Sequence, residues 1–343
     1  MMFGPVPLAQ AEGAILAHSV ALEGGGRIRK GRVLDTADIA RLAGAGISTV
    51  TVARLLGDDL HEDAAATALG QALIGAAAVG AQAPPDPGIR LSVATTGRVN
   101  LYATRPGVAQ IDAARVRALN AVDPTITFAS TKPWTQTREG TLLGTVKIIS
   151  YGVSAGPLAR AAELGRGAMR VRPVTLRRAQ LIVTRLDYGP DTADSKGITA
   201  IRARLEALGM QMAEPATVAH DAAAIAEALG QGEADLRLIL TASATSDIRD
   251  VAPQAVVQAG GSVSRFGMPV DPGNLLFLGE IGGTPIIGLP GCARSPALNG
   301  VDFVLSRVAC GLTLGPEDFA DMAVGGLLKE IPQRGRPREA DDG

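Results

Sequence analysis

Aromatic side chains are scarce: Phe, Trp and Tyr make up 3% of the 343 residues. The 46% apolar fraction must therefore build its cores mainly from Ala, Val, Leu and Ile. Cysteine is scarcer still, with only Cys292 and Cys310 and no CxxC spacing. That argues against a disulfide framework and structural zinc, and fits a reducing cytoplasm. The three histidines, His18, His61 and His220, are scattered, so no histidine-based metal centre is expected. A formal net charge of −1 argues against an electrostatic nucleic-acid binder. No apolar run approaches the ~18 residues of a membrane span. The start, MMFGPVPLAQAEGA, lacks the basic segment and apolar run of a signal peptide, so a cytoplasmic location is expected.

What is present divides the chain. Residues 1–57 read as a small β-rich module in the order strand, turn, strand, short helix, strand. Asp35 or Thr36 is the predicted cap of the helix over ADIARLAGAG. Residues 58–175 read as a helical linker plus a second β-rich module. The Ala-rich DAAATALGQALIGAAAVG is helical and is stopped by AQAPPDPG; PLARAAELGRGA is a linker helix. Trp134 is expected to pack in the β region. From about Gln180 the pattern changes to strand–helix alternation: AQLIVTR, then a helix with Ile198, Ile201, Leu205 and Leu208 on one face. MAEPATV, LRLILTA and TPIIGLPG follow as strands, with helices between and after them. Such alternation implies a mainly parallel sheet covered on both faces. The expected fold class is therefore α/β, with a three-layer αβα domain over 176–315 preceded by smaller β-rich modules. A C-terminal extension, 316–343, has a charged end of disordered character.

The richest stretch is Leu238–Pro296. There LILTASATSDIRD and PIIGLPGCARSP each run an apolar strand into a loop of small residues. Ligands bind at the carboxyl ends of strands in open α/β sheets, and small residues let backbone N–H groups approach a phosphate. The same Gly and Pro residues serve equally well as plain turn formers.

The run Thr241-Ala242-Ser243-Ala244-Thr245-Ser246-Asp247-Ile248-Arg249-Asp250-Val251-Ala252-Pro253 carries a resemblance. It is similar, in length and in its Thr, Arg-Asp-Val and Pro positions, to the T-G-G-T-G/S…R/K-D-V-T-P pattern of the molybdopterin-binding domain. That domain is shared by molybdopterin adenylyltransferase, molybdopterin molybdotransferase and gephyrin. Arg185, Asp187, Asp194 and Ser195 resemble the family's upstream acidic loop. Pro272-Gly273-Asn274 and Leu289-Pro290-Gly291 resemble its downstream features. The N-terminal half resembles the β-rich modules of the molybdotransferase. TGRVNLY, FGMPVDPGN and PGCARSP resemble the molybdopterin-binding half of bacterial proteins fused to a molybdenum cofactor nucleotidyltransferase. The sequence offers no GGxSxRMG-like nucleotide loop, so that second domain is not expected. Where the family has Gly-Gly, this chain has Ala242-Ser243, which puts pterin affinity and catalysis in question.

The resemblance implies a protein of molybdenum cofactor metabolism that binds molybdopterin or its nucleotide form. If it is an enzyme, its chemistry would be molybdate insertion or ATP-dependent adenylyl transfer with Mg²⁺. It assigns Asp250 and Asp247 to catalysis and Asp250 to the metal. It assigns Thr241, Ala242, Ser243, Thr245, Ser246, Arg249, Asp187, Ser195, Lys196, Pro272, Gly273, Asn274, Pro290, Gly291 and Ser295 to the pterin. Homo-oligomers and a nucleotidyltransferase or molybdoenzyme partner are implied as well. Other readings compete. Asp250 and Ser295 could be ordinary helix caps, Asp247 a solvated loop acid and Arg249 a surface ion pair. His220 reads as a helix-start residue, and Arg170, Arg172, Arg177 and Arg178 as a solvated linker that could also line a cleft facing an anionic ligand. Cys292 has no nearby histidine in sequence to activate it. A non-catalytic carrier or sensor of the cofactor remains open. So does a nucleotide or pyridine-nucleotide hydrolase of the competence-damage type.

Overall fold

The computed structural model describes residues 1–22, 25–75, 86–186 and 195–328. They form two compact units. One comprises Met1–Arg105 with Ala109–Val171, and the other Pro106–Val108 with Arg172 onward.

In the first unit, strand Met2–Pro7 pairs antiparallel with Thr49–Arg54, which also pairs with Ile15–Leu16. The helix Thr36–Gly44 starts where expected, because the Asp35 carboxylate accepts the Asp38 N–H at 2.7 Å. Leu16, Ile28, Leu34, Leu42 and Val52 close a small core of their own. A second core lies over an antiparallel sheet ordered Ile126–Ser130, Leu142–Ile148, Arg98–Ala103, Ile89–Leu91. The segments expected to be linkers are not connectors. Helix Glu62–Leu73 buries Ala65, Ala66, Leu69 and Leu73 in this core, and helix Ala155–Gly165 buries Leu158 and Ala161. Their Ala-rich faces allow close packing, which is what few aromatics require. Trp134 sits in a turn at φ 64°.

The second unit is the three-layer α/β domain. Strands Arg178–Arg185, Leu236–Leu240 and Thr284–Leu289 run parallel at the centre. MAEPATV, expected as one strand, is two short parallel pieces, Gln211–Met212 and Ala216–Ala219, both paired to Arg178–Arg185. Pro215 lies between them and has no N–H for a continuous ladder. Side chains alternate across the sheet. Ile182, Ile239 and Ile286 pack under helices Ala222–Leu229 and Val251–Gln258. Helices Ser195–Ala207 and Gly300–Ala309 bury Ile201, Leu205, Val301 and Val304. The closing helix starts at Gly300 rather than near Ser295, because Asn299 and Asp302 form a capping box there.

Two antiparallel strands, Ser262–Phe266 and Phe277–Ile281, extend the sheet beyond Thr284–Leu289. Neither strand was expected from the sequence. Their signal is Gly282-Gly283, a two-residue hairpin loop with φ of 55° and 82° between Ile281 and Thr284. Gly288 faces Phe277 across this hairpin, where a Cβ would fall inside the ring. A further short helix, Pro316–Asp321, lies in the segment expected only as an extension.

Candidate functional site

Hydrogen bonds tie together the carboxyl ends of four parallel strands. Ala242 donates its backbone N–H to Thr184 Oγ1 at 2.8 Å. The same hydroxyl lies 2.9 Å from His220 Nδ1, just past strand Ala216–Ala219. Arg294, in the loop after Thr284–Leu289, donates from Nη2 to the Thr241 carbonyl at 2.8 Å. The loop after Leu236–Leu240 is thus fixed from both sides. His220 is part of this strand-end cluster and not a helix-start group; Asp221 caps the helix that follows.

Within that loop, the buried Thr241 hydroxyl donates to the Ser243 carbonyl at 2.6 Å and lies 3.4 Å from Thr245 Oγ1. These two threonines face inward and hold the loop's shape. Ala242, Ser243, Ala244 and Ser246 face solvent and form its available surface. Neither Ala242 nor Ser243 has positive φ, so the loop follows a path that L-residues with a Cβ adopt freely.

The acids are engaged locally. Asp250 caps helix Val251–Gln258: its carboxylate accepts Ser246 N at 3.0 Å and Val251 N at 2.8 Å. Asp247 accepts both the backbone N–H and the Nε of Arg249 at 2.8 Å. This guanidinium holds the Asp247 carboxyl down at about 2. Among the described residues no three His, Cys, Asp or Glu side chains gather into a cation cage. The donor set therefore does not fit a protein-built Mg²⁺ site. A cation here would take most of its ligands from water and a bound phosphate.

The second loop is held by Arg204. Its Nε pairs with Asp302 Oδ1 at 2.9 Å, and Nη1 reaches the Ala293 carbonyl at 3.0 Å. Nη2 reaches the Ser295 and Ala297 carbonyls at 2.8 and 3.0 Å. Asn299 secures the far end, donating to the Cys292 and Ala297 carbonyls at 3.4 and 3.1 Å. Pro290 is buried and Gly291 exposed. Ser295 Oγ accepts Ala297 N at 3.2 Å, so it shapes the loop and caps no helix. The Pro272–Asn274 turn meets the other end of this segment. The Pro272 carbonyl accepts Gly300 N at 2.8 Å and Gly273, at φ 133°, leaves no room for a Cβ against Gly300.

The structure thus joins the Thr241–Asp250 and Pro290–Ser295 loops directly and brings Pro272–Asn274 to the base of the second. Ser195 and Lys196 open helix Ser195–Ala207 with exposed side chains. Asp187 and Asp194 lie outside the described residues. Arg177 and Arg178 give their backbone N–H groups to Asp235 at 2.7 and 2.9 Å, and Arg170 pairs with Gln110. Cys310 is buried, and burial pushes its thiol up to about 11, which suppresses nucleophilic thiolate. Sequence reasoning missed Thr184, Arg204, Arg294 and Asn299. Arg204 did carry a signal, standing beside Ile201, Leu205 and Leu208 on the apolar face of its helix.

This arrangement defines an α/β protein with polar loops converging at the carboxyl edge of a parallel sheet. A family described as a domain of unknown function (DUF8806) matches residues 5–54. No curated protein matches the chain. Among solved structures, a molybdopterin biosynthesis MoeA protein from Pyrococcus horikosii is matched at 11% identity and TM-score 0.32, over 93% of this chain and 76% of its own. A molybdenum cofactor biosynthesis protein B is matched at 16% identity and TM-score 0.29, over 40% of this chain and 96% of its own. A molybdenum cofactor biosynthesis protein from Pyrococcus furiosus is matched at 13% identity and TM-score 0.25, over 90% of this chain and 63% of its own. Likeness at these scores carries no weight for activity or residue roles. Among the described residues no helix is long and apolar enough to cross a membrane.

Proposed function

We propose that this chain serves molybdenum cofactor metabolism by binding molybdopterin, or its nucleotide form, at the joined Thr241–Asp250 and Pro290–Ser295 loops. The observation that carries the reading is the Arg294–Thr241 and Ala242–Thr184 pair of bonds, which fixes a polar loop between neighbouring strand ends. The Thr241–Pro253 run that resembles the family pattern is the loop so held. Exposed Ser243 and Ser246 supply hydroxyl donors, and the small exposed side chains of Ala242, Ser243 and Ala244 leave room for a pterin phosphate. Asp250 occupies the N-terminus of helix Val251–Gln258 with its own carboxylate, so the phosphate would rest on the loop and not on that helix end.

A second reading, binding and hand-over without chemistry, is favoured by the engagement of both acids. Asp250 holds two backbone N–H groups and Asp247 holds Arg249. Under either reading a homo-oligomer or a partner enzyme is a further proposal that the resemblance suggests. The test is purification from molybdate-fed cells, oxidation of any bound pterin to its fluorescent derivative, and titration of the stripped protein with molybdopterin. Ser246→Ala and Arg294→Ala should weaken binding. A stripped, folded protein with no saturable pterin binding would refute the proposal. Molybdate- or ATP-dependent conversion of the bound pterin would select the enzyme over the carrier.

A further inference from the structure

Among the described residues of the C-terminal unit, three arginines are buried: Arg204, Arg237 and Arg307, at 8%, 8% and 7% exposure. A guanidinium cannot shed its proton at accessible pH, so burial requires compensation by anions or well-placed acceptors. Arg204 has Asp302 at 2.9 Å. Arg307 lies in the field of Asp318 and Asp321. Arg237 has neutral partners: Nε donates to Gln180 Oε1 at 3.2 Å and Nη2 to the Gly232 carbonyl at 3.1 Å. Those bonds engage one face of the fork and neutralise none of its charge.

Arg237 lines a polar cavity of about 450 Å³, with Arg178 and Thr284 among the other residues of its wall. The register explains the grouping. Arg178, Arg237 and Thr284 stand at the amino-terminal ends of three neighbouring parallel strands. The cavity is therefore at the opposite edge of the sheet from the converging loops. Two acids also line it. Asp235 is turned toward the backbone N–H groups of Arg177 and Arg178, which its carboxylate accepts at 2.7 and 2.9 Å. Glu233 is exposed at the surface. Neither acid pairs with Arg237.

We propose that this cavity is an oxyanion site, in which the buried Arg237 and the exposed Arg178 hold the phosphate or carboxylate group of a small ligand and Thr284 donates its hydroxyl. The guanidinium fork matches both oxyanions, and the ligand would supply the missing negative charge. The site is independent of the pterin reading.

The test titrates the intact protein with inorganic phosphate and, separately, with acetate, followed by calorimetry and by thermal melting. Saturable binding of at least one anion is expected, and the anion that binds identifies the ligand group. Arg237→Gln removes the charge and keeps a donor for Gly232. It should weaken binding by at least about tenfold, the scale of one charge-assisted hydrogen bond. Arg178→Ala, at an exposed side chain, should weaken it severalfold and decides the matter if Arg237→Gln does not fold. Lys30→Ala, which removes an exposed cation that lines neither site, should leave anion binding unchanged. Absence of saturable binding at millimolar anion, or saturable binding of unchanged strength in both arginine variants, would overturn the proposal.

Discussion

Replacing Arg204 by Met tests whether the second loop is held as the geometry indicates. The substitution removes one member of a pair whose side chains are only 8% and 16% exposed. It also strips donors from the Ala293, Ser295 and Ala297 carbonyls. Breaking a buried pair by removing one partner costs about 3–5 kcal/mol, because the other charge stays behind unpaired. At about 2–4 °C per kcal/mol for a domain of this size, the melting temperature should fall by roughly 6–20 °C. Arg204→Lys restores the charge but not the planar fork, so its loss should be smaller. The assay is chemical denaturation with hydrogen exchange read over residues 291–299. Exchange there should speed up beyond what global destabilisation explains, and pterin affinity should drop with it. In a double-mutant cycle Asp302→Asn should couple to Arg204→Met. A loss below about 1 kcal/mol, with 291–299 still protected, would show that Arg204 is not the clamp.

Four further outcomes are expected. Asp250→Ala should cost about 0.5–2 kcal/mol by removing an N-cap, while Asp250→Asn keeps most of it; unfolding curves would check this. The Asp247 carboxyl should titrate near 2 by NMR and return toward 3.8 in Arg249→Ala. Because its folded value is depressed, the stabilisation it brings is present above its unfolded value and is lost as pH falls toward 2. Gly288→Ala should cost about 1–3 kcal/mol by pushing Phe277 from its place, measured by melting, and Phe277→Leu should relieve part of it. The double change Ala242→Gly with Ser243→Gly should cost about 0.5–1 kcal/mol per residue in unfolded-chain entropy and gain no loop opening, since neither residue is strained.

The parallel domain was legible because its strands are buried on both faces and its helices carry a 3.6-residue apolar period. Ile198, Ile201, Leu205 and Leu208 show this plainly, with Gly209 at φ 73° ending the turn. Caps were legible in part: Asp35 is a cap as read, whereas Ser295 is not, because Asn299 with Asp302 makes the better box. The edge hairpin escaped although Gly282-Gly283 marked it. The strand-end network could not be read from spacing. It joins Thr184 to Ala242 across 58 positions and Arg294 to Thr241 across 53. Such pairs are set by strand order, which local pattern does not encode.

The same network bears on catalyst against carrier. For Asp250 to take up a cation it must loosen its hold on Ser246 N or Val251 N. Each such bond contributes about 0.5–1.5 kcal/mol, more when the acceptor is charged. Asp247 would have to leave Arg249, whose guanidinium would then stand beside the incoming cation. Both changes act against metal-dependent transfer by an unaltered loop. Binding alone needs neither change. Ser243 and Ser246 are already exposed, and Thr184, Arg204 and Arg294 already hold the loops in place. A surface fixed before the ligand arrives has less ordering entropy to lose on association. Chemistry at this site would therefore require a partner or substrate that reorganises Asp247–Asp250. Crosslinking or exchange measurements with molybdopterin and ATP or molybdate would detect that rearrangement, and its absence during turnover would refute this argument.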